Sequence, residues 1–174
     1  PDRLIEEGHW TVFGAESYQP GSGRIPRWLE LPDYALSFHV AHELTHVLMK
    51  RRAFPATVRG PQYPPGSPEG RVGGDLEEMV GHPGLEHILN PFPFDKSHVL
   101  QHLSEGARGG LENSPLPEAG SMWWNTWAIR YCELKHLLPE KLWVRLEVVY
   151  DGRCPDIAIK GRELVEIMDR EGFE

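Results

Sequence analysis

The chain reads as an α+β domain: a small mixed sheet, one central helix and several further packing helices. Three observations lead there. Residues 34–50 repeat apolar side chains at spacings of three and four, the period of a helix with one buried face. Residues 9–13 and 143–150 are short, apolar and strand-like, the second by alternation. Finally, 174 residues with 40% hydrophobic and 10% aromatic content suffice for one folded core. The expectation is therefore a single domain over residues 1–174.

In chain order, residues 9–13 (His-Trp-Thr-Val-Phe) give a first strand, and the polar, Gly-containing residues 17–23 give a turn. The central helix follows, with Leu36, Val40, Leu44, Val47 and Leu48 as its apolar repeat. Asp33 can cap its start, Lys50, Arg51 and Arg52 suit its C-terminus, and Pro55 stops it. The uncharged residues on this helix imply burial through the core. Residues 53–74 are rich in Pro and Gly and read as a long irregular loop, a kind that often borders a site. A short helix over residues 75–82 follows, with Leu76, Met79 and Val80 as its apolar face. Residues 90–94 are extended, 97–104 helix-like, and 106–120 a further loop. Residues 121–138 form a helix dense in Trp and Tyr, residues 143–150 a strand, and residues 158–174 a C-terminal amphipathic helix.

The central helix carries His42-Glu43-Leu44-Thr45-His46. Residues i and i+4 of a helix stand one above the other, so both imidazoles can bind one Zn²⁺. Glu43 then points toward water at the metal. Shuffling this composition produces such a pattern in about one chain in twenty, so the surrounding helix has to support it. Its uncharged neighbours do. The motif resembles the zincin metalloproteases, in which the two His bind zinc and the Glu is the general base. The resemblance covers these five residues and their helix. It implies a zincin-like fold with strands ahead of the motif helix, and a zinc metallopeptidase acting on peptide or protein substrates.

Metzincins continue with a Gly and a third His where this chain has Met49 and Arg52, so that class is excluded. The resemblance then implies the gluzincin arrangement, with a third ligand from a Glu a few tens of residues downstream. Glu77 and Glu78, in Gly-Gly-Asp-Leu-Glu-Glu-Met-Val-Gly-His (73–82), fit that distance. Glu78 is favoured because His82 lies four residues on, able to support a ligand carboxylate or contact the ligands. The succession Glu78, Gly81, Glu86 also resembles a Glu-Gly-Glu pattern of intracellular microbial and fungal HExxH proteins, which implies Glu86 and His87 as supporting or substrate-site residues; as a ligand Glu86 is the third choice. A weaker similarity, to ImmA/IrrE-type peptidases, would register Glu77 instead. The expected set is thus His42, His46 and Glu78 on zinc, with Glu43 catalytic. Metal-assisted hydrolysis also needs a donor for the developing oxyanion, and His82, His87, His98, His102 and Tyr131 are available. His39, three residues before His42, is expected near the site. The alternative reading is a zincin-fold protein whose metal serves binding or regulation.

A net charge of −8 and a pI near 5.6 disfavour nucleic acid and anionic membranes as partners, and hint at basic or neutral peptide segments. No apolar run reaches the length of a membrane span. The first residues lack signal-peptide features, and two cysteines make no disulfide framework, although one bridge could join Cys132 to Cys154. A cytoplasmic setting is the expectation.

Overall fold

The structure, a computed structural model, describes residues 33–54, 56–64 and 66–171. These form helices α1 (Asp33–Arg51), α2 (Pro68–Leu89), α3 (Ser97–Asn113), α4 (Met122–Leu137), α5 (Glu140–Arg153) and α6 (Pro155–Glu171). No strand occurs among the described residues. The expected α+β class with a mixed sheet is overturned, and the described chain is all-helical. The expected strand at 9–13 and turn at 17–23 lie outside the described residues. The strand expected at 143–150 lies within α5.

The reason is visible in α5. Val144, Leu146, Val148 and Tyr150 alternate with charged Arg145 and Glu147, which imitates a strand. The residues actually buried are Leu142, Trp143, Leu146 and Tyr150, spaced as one helix face, while Val144 and Val148 are exposed. Long-range packing chose the helical period.

Two expected loops also shrink. Ser67 accepts a hydrogen bond from the Gly70 amide at 3.2 Å, Pro68 sits in the first turn and Glu69 follows. Helix α2 therefore starts at Pro68 and runs through Gly73 and Gly74. Likewise α3 continues through Gly106, Gly109 and Gly110 to Asn113, anchored by buried Leu111. Helix α4 begins as the sequence predicts, Ser121 accepting from the Trp124 amide at 3.2 Å.

The main core lies among α3, α4, α5 and α6. Tyr131 meets Trp143 and Tyr150 edge-on, with ring centroids 4.7 and 4.9 Å apart. Gly161 of α6 lets that helix approach Tyr131 closely, because a Cβ there would stand 2.3 Å from Tyr131 Cγ. Cys132 and Cys154 are buried free thiols, so the suggested bridge is absent. A cluster of Met79, Ile129, Cys132 and Met168 joins α2, α4 and α6. Another, built on Phe38, Met49, Leu85 and Leu89, joins α1 to α2.

Helix α1 buries a different face from the one its apolar repeat suggests. Phe38, Thr45 and Met49 are buried, whereas Val40, Leu44 and Val47 are 42%, 62% and 51% exposed. The buried stripe is the one that carries His42 and His46. None of the described helices is long and apolar enough to cross a membrane.

Candidate metal centre

His42 and His46 share the α1 face turned toward α2, and His82 occupies the buried stripe of α2 with Met79, Leu85 and Leu89. The register brings three imidazoles together. Their ring centroids are 4.8 Å (His42–His46), 5.2 Å (His42–His82) and 5.6 Å (His46–His82) apart. One nitrogen from each lies within 4.8 Å of the others. His42 Nε2 and His46 Nε2 are 3.1 Å apart. Two nitrogens on a tetrahedral zinc with bonds of 2.0–2.1 Å are about 3.3 Å apart, so this pair already has the right bite.

His82 is held by its other nitrogen. Its Nδ1 is 2.7 Å from Glu133 Oε1, and Arg130 Nη1 donates to Glu133 Oε2. A carboxylate on the far nitrogen of a histidine fixes ring orientation and makes the near nitrogen a better ligand. The near nitrogen, Nε2, stands 3.2 Å from Glu78 Oε2. Burial opposes charge on His82, but the bonds to Glu133 and Glu78 outweigh it and push its pKa up to about 9. Burial and the charges on His82, His46 and His39 depress His42 to about 3, which keeps it neutral and able to ligate. The His82 bond holds the Glu78 carboxyl below the usual range. Glu133 is also held low: burial acts against ionisation, and His82 and Arg130 overcome it.

Glu43 follows His42 and projects beside the cluster. Its Oε2 is buried without a hydrogen-bond partner. Burial, then the neighbouring Glu78 charge, raise its pKa to about 7. A buried carboxyl oxygen without a partner is rare and calls for a ligand or a water. With the converging nitrogens and the anchored His82, it makes a donor set of the kind that can hold a metal ion such as zinc. His42, His46 and His82 would hold it, with Glu78 close enough to take a fourth position once His82 Nε2 is engaged.

The imidazoles separate two recesses. On one side Glu43, His39, His42 and His82 face a cavity of about 270 Å³ that Phe38 and Glu86 also line. On the other, His46, Glu77 and Glu78 face a cleft of about 400 Å³. Glu77 is engaged by Thr57, whose amide and hydroxyl donate at 3.1 and 2.5 Å to Oε2. Glu86 accepts from Lys96. Of the expected oxyanion donors, His82 is in the cluster, while Tyr131 donates to Glu147 at 2.7 Å in the main core. His98 and His102 stack on each other along α3.

Sequence reasoning placed His82 beside the ligands and missed Glu133 and Arg130. Glu133 is the one acid in α4 and sits among its inward residues Tyr131, Cys132 and Leu134. That pattern was the available signal, since an acid on a buried stripe needs a partner. Comparison with protein-family models, curated proteins and solved structures finds no match for this chain.

Proposed function

We propose that the protein is a zinc-dependent hydrolase of peptide bonds, with His42, His46 and His82 holding the metal and Glu43 as general base. One observation carries this reading: Glu43, whose Oε2 is buried without a partner, lines the same cavity as His42 and His82. Zinc in that position supplies Lewis acidity, acidifying water and polarising a carbonyl. The residues do the rest. The Glu43 carboxylate accepts a proton from the attacking water and returns it to the leaving amine. Glu133 holds the His82 ring by Nδ1, leaving Nε2 as the nitrogen free to ligate once it leaves Glu78. The peptide as substrate class comes from the likeness of His42-Glu43-Leu44-Thr45-His46 to the zincin motif.

Glu43→Gln tests the base. The variant should bind zinc stoichiometrically, as read by metal analysis, and lose hydrolysis of a mixed peptide library by about 10²–10⁴-fold. Unchanged hydrolysis would remove Glu43 from its role. A second reading is favoured by Glu78, whose Oε2 approaches His82 Nε2 at 3.2 Å. Four protein ligands would close the site and make it a structural or regulatory one. In that case Glu78→Gln loses zinc, and wild-type protein hydrolyses nothing.

A further inference from the structure

Helices α2, α3, α4 and α5 border a cleft of about 510 Å³ next to the Glu43 cavity. Its size suits a substrate side chain with its flanking backbone. Gly106 and Gly110 open one wall, since a Cβ at either would meet nothing within 4 Å, and Trp127 supplies an apolar one. The charges are uneven: two guanidiniums, Arg71 and Arg130, against one carboxylate, Asp75.

Asp75 Oδ2 accepts from the Thr126 hydroxyl at 2.6 Å, which turns that carboxylate toward α4. Arg71 stacks over the Trp123 ring, 4.8 Å from its centroid, and pairs with no carboxylate among the described residues. Arg130 gives Nη1 to Glu133. A guanidinium has five N–H donors, so most of its donors remain available to a ligand. Arg130 also lines the Glu43 cavity, as does Leu103, so the two recesses share a wall. The chain Arg130–Glu133–His82 runs from the cleft to the metal-ligating nitrogens in two ionic hydrogen bonds.

We propose that this cleft binds a side-chain carboxylate of the substrate through Arg71 and Arg130, so that the enzyme cleaves peptides with Asp or Glu beside the scissile bond. This rests on the hydrolase reading. A planar fork matched to a carboxylate gives both charge and bidentate geometry, which a neutral amide lacks. The protein's net charge of −8 works against an acidic ligand only at long range. At physiological salt, charges beyond about 8 Å are largely screened, so the groups lining the cleft decide. Arg71 is first among them because it has no carboxylate partner among the described residues.

The test uses Glu43→Gln protein loaded with zinc, and two capped residues, N-acetyl-glutamyl methylamide and its neutral glutaminyl counterpart. Calorimetric titration should give at least tenfold tighter binding of the acid. Arg71→Gln should erase most of that preference, and Gly106→Leu, which fills the cleft from a helix position that tolerates Leu, should abolish binding of both. The preference should persist in His42→Ala protein, because it belongs to the cleft and not to a metal. Equal affinities, a preference untouched by Arg71→Gln, or a preference lost with His42→Ala would each overturn the proposal. Peptide hydrolysis by wild-type protein is scored separately. Selective binding without hydrolysis sinks the hydrolase reading and leaves the cleft standing; hydrolysis without selectivity does the reverse.

Discussion

His82 stands between two carboxylates, Glu133 on Nδ1 at 2.7 Å and Glu78 on Nε2 at 3.2 Å. Both favour its charged form, and its pKa of about 9 lies above the ordinary 6.5. A raised folded-state pKa stabilises the fold fully below the unfolded value and loses that contribution as pH rises through the folded one. Chelator-treated protein should therefore weaken between about pH 7 and 9 in urea melts, and His82→Gln should flatten that slope; a flat wild-type profile refutes the assignment. Zinc must displace the Nε2 proton, so at pH 7.5 its binding should release close to one proton from His82, readable by calorimetry in buffers of different ionisation heat. Glu133→Gln should cost 10–100-fold in zinc affinity, because the charge that makes His82 the better ligand is lost and its ring is held less firmly. The motif residues were legible in the sequence because their spacing is local. Glu133 was not, since its partner His82 is far along the chain and only tertiary packing unites them. His82 itself was read as a neighbour of the candidate ligands, and its ring stands within 5.6 Å of those of His42 and His46.

At the scale of elements, caps and periodicity marked α1, α4 and α6, and failed where glycine-rich or alternating stretches turned out helical. Gly73, Gly74, Gly106, Gly109 and Gly110 read as loop residues because each weakens a helix by about 1 kcal/mol relative to Ala. Burial of Met79, Leu85 and Leu111 outweighs that sum. On α1 the error was one of face. Apolar Val40, Leu44 and Val47 made the wrong stripe look like the core side, although Phe38, Thr45 and Met49 mark the buried one. Contact geometry separates the glycines. Gly161→Ala drives a methyl into Tyr131, 2.3 Å from its Cγ, and should destabilise the α4–α6 pair by ~1–3 kcal/mol. Gly109→Ala meets nothing within 4 Å and should stabilise by ~0.5–1 kcal/mol. Denaturant titration of both variants checks the contrast, and equal signs would contradict the packing.

For the whole molecule, the aromatic core of α3 to α6 is distinct from the α1–α2 cluster, and α1 packs chiefly on α2. Zinc bound to His42, His46 and His82 should raise the melting temperature. At a thousandfold excess over Kd the gain is about 4 kcal/mol, or roughly 10 °C for a chain of this size; no shift, or one that survives His46→Ala, would count against the site. The exposed connector between α1 and α2 gives the centre a topological meaning as well. An ion joining His46 to His82 closes a loop of 36 residues, and a cross-link of that span removes about 4 kcal/mol of chain entropy from the unfolded state. The metal would then act as a reversible staple. A protease cut between residues 56 and 64 would leave α1 clasped to the helices that follow, and a chelator would let it go.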